Sequence, residues 1–232
     1  MEKIEFVLNE FNKCDIKLST EQSEKFVRLY EFLVEYNKNV NLTAITDFEE
    51  VVVKHFVDSV LPFSMVDIEK DSSFIDVGTG AGFPSIPLMI IRPDLKCTML
   101  EALNKRCVFL KKACELVGVK ATVVHGRAED YAKEKRECFD FATARAVAAM
   151  PVLSEYCMPY VKVGGRFIAL KSVNEEIEQS ENAIETLGGK LTEVKDYVLT
   201  NGDNRRLFVI EKFSHTPTKY PRNPSMIKKK PL

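Results

Sequence analysis

The stretch Phe74-Ile-Asp-Val-Gly-Thr-Gly-Ala-Gly-Phe-Pro84 decides how this chain is read. An apolar run reaches an acid, Asp76, and three glycines follow at Gly78, Gly80 and Gly82 before a segment rich in Ile, Leu and Met. That is the pattern of a strand ending in a tight turn that feeds a helix. Bare backbone at such a turn admits a ligand where any Cβ would block it. The pattern predicts a nucleotide-like cofactor at the edge of a parallel sheet.

Outward from this turn, strand and helix patterns alternate. Strands are predicted at 74–77, 96–100, 121–124, 139–142 and 166–170, and helices near 84–91, 105–117, 149–160 and 174–187. Such alternation implies right-handed crossovers and a doubly wound, mostly parallel sheet. The end differs: 191–199, then Asn201-Gly-Asp-Asn204, then 206–212 reads as a strand, a turn and a returning strand. Nicotinamide-binding sheets usually continue parallel, whereas S-adenosylmethionine-type methyltransferase sheets usually reverse their last strand. The expected fold class is therefore α/β, Rossmann-like, of the class I methyltransferase kind. Three segments are expected: helical 1–66 packing on the core, a methyltransferase domain over 67–213, and a tail over 214–232. In the first, Ser19 and Gln22 form a capping-box pattern, and Asp47 is placed to cap a later helix.

Composition bounds the function. The chain has 232 residues, 45% hydrophobic and 29% charged, which suits one sizeable core. No apolar run approaches the ~20 residues of a membrane span. Six cysteines stand singly, so neither a zinc site nor a disulfide scaffold is expected, and a cytoplasmic protein is. The net charge of −1 excludes a globally basic nucleic-acid binder. The charge is uneven, however. The tail from Ser214 has five Lys or Arg residues, four prolines and no acid, which leaves −6 on the rest. Such a tail is expected to be extended, either a phosphate-contacting arm or a solubilising end. Its removal after Phe213 is expected to spare cofactor binding.

Several positions can carry chemistry. Glu101 ends the second strand about 20 residues beyond the glycines, where an acid can accept both ribose hydroxyls. Dehydrogenases and methyltransferases share that device. The Gly-x-Gly-x-Gly order behind Asp76 leans toward a methyltransferase, because the pyrophosphate fingerprint Gly-x-Gly-x-x-Gly is absent. Ala128 and Glu129, past the third strand, are candidates to lie near an adenine, or else an acid-rich helix start. Arg145 after the fourth strand and Lys171 after the fifth stand at strand C-termini, where such sheets place their sites. Either can equally be a surface cation. His55, in His55-x-x-Asp58-Ser59, is read as structural or substrate-positioning. No catalytic residue is assigned and no metal site is expected.

At this point the chain resembles the glucose-inhibited division protein B family. These are bacterial methyltransferases that modify N7 of one guanine in 16S rRNA of the small ribosomal subunit. The resemblance rests on Asn41-Leu-Thr-Ala-Ile45, Lys54-His-Phe-Val-Asp-Ser59, the glycine stretch to Leu88, Asn104-Lys-Arg106, Arg127-Ala-Glu129, Ala144-Arg-Ala146, Ala169-Leu-Lys171 and the basic ending. It implies S-adenosyl-L-methionine as cofactor, held at Gly78, Gly80, Phe83, Ala128, Glu129 and Arg145, with Glu101 on the ribose. It also implies RNA contacts among His55, Lys171, Arg205, Arg206, Arg222 and Lys229. The implied partner is 16S rRNA, in the subunit or its precursor; no membrane is expected, and the protein is expected to be a monomer. The family usually has Gly where this chain has Ser85, which is expected to narrow the approach at the helix start. Two other readings stay open from the residues: a same-fold methyltransferase for a small molecule or protein, and a non-enzymatic RNA-binding assembly factor.

Overall fold

Helix α2, Thr20–Asn37, starts where the capping box predicts. Ser19 Oγ accepts from Gln22 N at 3.1 Å, and Gln22 Oε1 accepts from Ser19 N at 2.9 Å. The computed structural model describes residues 2–145, 148–174 and 180–232. Helix α1 is Glu2–Asn12, and its Phe11 lies 5.0 Å from Phe26 of α2, ring centre to ring centre. A third helical run starts at Asp47, whose carboxylate accepts from Glu50 N at 3.0 Å. It is not uniform: α3, Phe48–Val51, passes through a π-turn at Val52–Val57 into α4, Asp58–Ser64. A π-turn adds a residue to the turn and loosens the carbonyl ladder. Nothing in the residue pattern signals it.

The sheet has seven strands in the order β3-β2-β1-β4-β5-β7-β6. Strands β1 (Ser73–Val77), β2 (Lys96–Glu101), β3 (Ala121–His125), β4 (Phe139–Arg145) and β5 (Val161–Ser172) run parallel. Strand β7 (Asn204–Lys212) runs antiparallel to β5, and β6 (Gly189–Val198) antiparallel to β7, as the closing hairpin predicts. Between them lie α5 (Ser85–Ile91), α6 (Asn104–Val117), α7 (Ala128–Glu134), α8 (Met150–Cys157) and α9 (Glu181–Thr186). The helix expected at 174–187 falls partly outside the described residues. The fourth strand runs further than expected, so Thr143 to Arg145 belong to it and do not follow it.

Strand residues alternate between two cores, as the period of two requires. Phe74, Met99, Phe141 and Ile168 face α1, α2, α5 and α6. Ile75, Leu100, Ala142 and Phe167 face α8, α9 and the tail. Each such buried large side chain contributes about 1.5–3 kcal/mol. Phe32 of α2 stacks on Phe109 of α6 at 5.3 Å and 8°, so the N-terminal helices share the core of the sheet domain.

The tail is not an extended arm. Arg136 donates to the carbonyls of Thr216, Pro217 and Tyr220 at 2.6, 3.0 and 2.8 Å. Arg222 makes a bidentate pair with the fully buried Glu155 of α8, with bonds of 2.9 and 2.6 Å. A short helix, α10 (Pro224–Lys229), ends it, with Ile227 and Tyr220 buried. The prolines break regular structure, as expected, but three basic or apolar anchors fasten the segment to the body.

Candidate active site

Both cavities of interest open at the C-terminal ends of the parallel strands. At the centre is the glycine turn. Gly78 N donates to Leu100 O at 2.9 Å, which ties the end of β1 to β2. Gly78 and Gly80 have φ of 74° and 61°, a left-handed conformation that favours glycine. A Cβ on Gly80 would meet only Gly78 O, at 3.9 Å, so that position faces open space. Gly82 serves differently. A Cβ there would stand 2.5 Å from Ile86 Cδ1, so this glycine lets α5 pack close.

Two carboxylates face the turn. Glu101 is nearly buried; its Oε2 accepts from Gly80 N at 3.0 Å and its Oε1 from Leu103 N at 2.9 Å. Each oxygen keeps a lone pair, so the carboxylate is held in place with two acceptor sites to spare. Asp76 is fully buried, and burial raises its pKa to about 6, partly opposed by the hydrogen bond from Ser85. Ser85 Oγ donates to Asp76 Oδ2 at 2.7 Å. Ser85 therefore turns inward and does not narrow the turn. Asp76 Oδ1 and Thr79 Oγ1 are buried without a protein partner. A buried unpaired acceptor is costly and calls for a donor.

The first cavity, of about 370 Å³, lies beside this turn. Its walls come from the ends of successive strands: Gly78, Leu100, Gly126, Ala128 and Glu129, closed by Tyr156 of α8 and Lys228 of α10. Apolar side chains flank exposed backbone and one lining acid, Glu129, with Glu101 at the adjoining turn, which suits a nucleoside.

The second cavity, of about 390 Å³, lies over β4 and β5 and is lined by Lys54, His55, Asp58, Arg145, Lys171, Tyr197 and Arg205. It is organised by Asp58. That carboxylate sits 3.4 Å from Arg145 and 3.5 Å from Arg205, and accepts from Tyr197 Oη at 3.1 Å. Arg145 also reaches the carbonyls of Lys54 and His55, at 3.4 and 3.5 Å, in the π-turn. Burial lowers its pKa, and Asp58 is the leading opposing influence. The His55 ring stacks on Phe83 at 4.7 Å, and the Arg145 guanidinium stands 5.2 Å from the same ring. Burial and then Arg145 bring the His55 pKa down to about 4, so it is neutral at pH 7. Its Nε2 shares a hydrogen bond of 2.8 Å with Thr43 Oγ1. Phe83, expected at the cofactor, thus stands behind the second cavity, lines neither, and is itself nearly buried.

The predicted residues divide accordingly. Gly78, Ala128 and Glu129 line the first cavity, with Gly80 and Glu101 at its turn; His55, Arg145, Lys171 and Arg205 line the second. The two are joined where Lys171 Nζ donates to the carbonyl of Ala148, a wall residue of the first cavity. Arg206, Arg222 and Lys229 line neither. Arg206 is engaged by Asp196 at 2.5 and 2.7 Å, Arg222 by Glu155, and Lys229 is exposed on α10. Asp76, Lys54, Tyr156, Tyr197 and Lys228 were not among the named site candidates. Asp76 carried a signal, the acid before the glycines, and Lys228 carried the basic tail's, whereas Lys54, Tyr156 and Tyr197 carried none.

A family model described as GidB, rRNA small subunit methyltransferase G, matches residues 22–207. The chain belongs to this family. A relative from Clostridium beijerinckii named Ribosomal RNA small subunit methyltransferase G is 49% identical over 94% of this chain and 93% of its own length. One of the same name from Streptococcus gordonii is 48% identical over 94% of each chain. Solved structures are similar in fold. M. jannaschii TYW2 in complex with AdoMet has a TM-score of 0.51 at 14% identity, covering 66% of this chain and 74% of that one. Precorrin-6y C5,15-methyltransferase from Geobacter metallireducens has a TM-score of 0.50 at 13% identity, covering 66% and 86%. At such identity these likenesses speak for the fold alone, that of class I methyltransferases. Among the described residues no helix is long and apolar enough to cross a membrane, and no group of three His, Cys, Asp or Glu residues could hold a metal.

Proposed function

We propose that this protein transfers a methyl group from S-adenosyl-L-methionine to N7 of a guanine in 16S rRNA, within the small ribosomal subunit or its precursor. The observation that carries the reading is the pairing of two unlike cavities at the strand ends. One is a backbone-and-carboxylate nucleoside pocket. The other is lined, among the described residues, by Lys54, Arg145, Lys171 and Arg205 and by the carboxylate Asp58, while Glu50 and Asp203 pair with Lys54 and Arg205 from outside its lining. A cavity of that charge suits a phosphate-bearing substrate better than a small neutral one.

The acceptors at the glycine turn, together with the apolar lining of the adjoining first cavity, fit S-adenosyl-L-methionine. Glu101 offers two acceptor sites to ribose hydroxyls, and the unpaired Asp76 Oδ1 offers one to an ammonium. Leu100, Ala128 and Tyr156 give apolar cover for a purine. The bound group supplies an electrophilic methyl on a cationic sulfur.

The chain's own residues supply alignment. Guanine N7 has a lone pair and no proton, so transfer to it needs no general base. The site accordingly holds His55 neutral and hydrogen-bonded to Thr43. Arg145, fixed by Asp58 and the π-turn carbonyls, would donate to guanine O6 alone, because the common bidentate contact to O6 and N7 would occupy the lone pair that takes the methyl group. Lys171 and Arg205 take neighbouring phosphates. The Phe83–His55 stack gives the loop between the cavities a rigid apolar back and excludes water. The test is to map 7-methylguanosine in 16S rRNA from cells with and without this gene. Loss of one site in the deletion supports the reading; an unchanged map with the label on protein or metabolites overturns it.

A further inference from the structure

The tail, expected to be separable from the cofactor site, instead reaches it. Anchored at Arg136 and at the buried Glu155, the segment crosses the α8 face and brings α10 to the mouth of the nucleoside cavity. Ile227 is fully buried and fixes the helix in rotation. Its neighbour Lys228 lies along the cavity wall near Gly78, Ala128 and Tyr156, yet remains an exposed residue. A lysine in such a position divides by atom: the methylene stem covers apolar surface while the ammonium stays in water. Lys229 and Lys230 extend the positive charge outward from there.

We propose that Lys228 is a bridging residue between the two substrates: its stem forms the outer wall of the cofactor pocket, and its ammonium meets a phosphate of the docked RNA. This rests on the reading of the first cavity as the S-adenosyl-L-methionine site. The strap thereby makes cofactor retention depend on chain remote in sequence from the glycine turn. It also explains why an acid-free segment is pinned so firmly to the body.

Titration calorimetry with S-adenosyl-L-methionine on the full-length chain tests it. Lys228→Ala removes stem and charge and is expected to weaken binding about five- to tenfold, the scale of a few lost methylene contacts. Lys228→Met keeps the stem and is expected to stay within about twofold of the wild type. It should still lower the slope of log affinity against log salt for 16S rRNA by about one. Lys230→Ala makes the same charge change on the cavity-free side and should leave cofactor affinity unchanged. Hydrogen exchange gives a readout independent of substitution: amides of 224–230 should slow when the cofactor is added. Wild-type cofactor affinity in Lys228→Ala, an unaltered salt slope in Lys228→Met, or no change in exchange overturns the inference. A wild-type chain that binds no cofactor at all overturns the proposed function itself, which is a different result.

Discussion

The two cavities at the strand ends are built from different materials. The nucleoside cavity is made of backbone turned by glycines and of short acids one or two residues from a strand end. The cationic cavity is made of long side chains brought from the π-turn, β4, β5, β6 and β7. The first is local: Asp76 to Ser85 supplies most of its turn within ten residues. The second is assembled only by the sheet, around one carboxylate that holds two arginines and a tyrosine. The contrast separates two tasks. On the proposed function, a cofactor common to many enzymes would be held by a conformation of the chain, whereas the RNA would be met by charge and position.

The largest effect should come from breaking the local site. Gly78→Asp forces a side chain onto a φ of 74° and puts a carboxylate into the nucleoside cavity. Left-handed backbone alone costs a non-glycine residue about 1–2 kcal/mol. Cofactor binding by calorimetry should fall at least about a hundredfold, given that cost plus the filled space. Breaking the assembled site should separate turnover from cofactor binding. Arg145→Ala strips Asp58 of one partner and frees Phe83 on one side. RNA methylation should fall about a hundredfold, as small misplacements do, while cofactor affinity falls far less. Equal losses in both would merge the two cavities into one functional unit.

A pH series sharpens the comparison further. The folded Asp76 has a pKa near 6, above its ordinary value of 3.8. The folded state therefore binds this proton more tightly than the unfolded chain. Its contribution to stability is fully present below the ordinary value and is lost as pH rises through about 6. A ligand ammonium prefers the ionised form, so cofactor affinity should weaken as pH drops through that value. Asp76→Asn should flatten the profile and, without cofactor, raise the melting temperature at pH 8. A profile with the same inflection in Asp76→Asn would assign it to another group. The smallest effect belongs to single cations: Arg205→Ala should reduce the salt slope of RNA binding by about one and leave cofactor affinity alone.

How far the sequence was legible follows the same division. The glycine turn, Glu101, the parallel order and the reversing hairpin were readable because each is a short-range pattern with one physical cause. So were the caps at Ser19 and Asp47. The π-turn was not, because nothing in Val52 to Val57 distinguishes it from an ordinary helix. Asp58 and Tyr197 lie far apart in sequence and meet only once β6 closes the sheet, so no spacing could reveal their bond. The tail misled for a related reason. Prolines and lysines describe how a segment behaves alone, but Arg222 meets Glu155 and Tyr220 joins the α8-side core only in the folded chain.

If these cavities together deliver a methyl group to rRNA, a single reaction reads it out. The direct measurement is to incubate the purified protein with methyl-labelled S-adenosyl-L-methionine and small-subunit particles from cells lacking this gene, then digest and map the RNA. The account predicts label on N7 of a single guanine of 16S rRNA, abolished in Gly78→Asp and strongly reduced in Arg145→Ala. Label on another atom or on ribosomal protein, or label undiminished in Arg145→Ala, would contradict it.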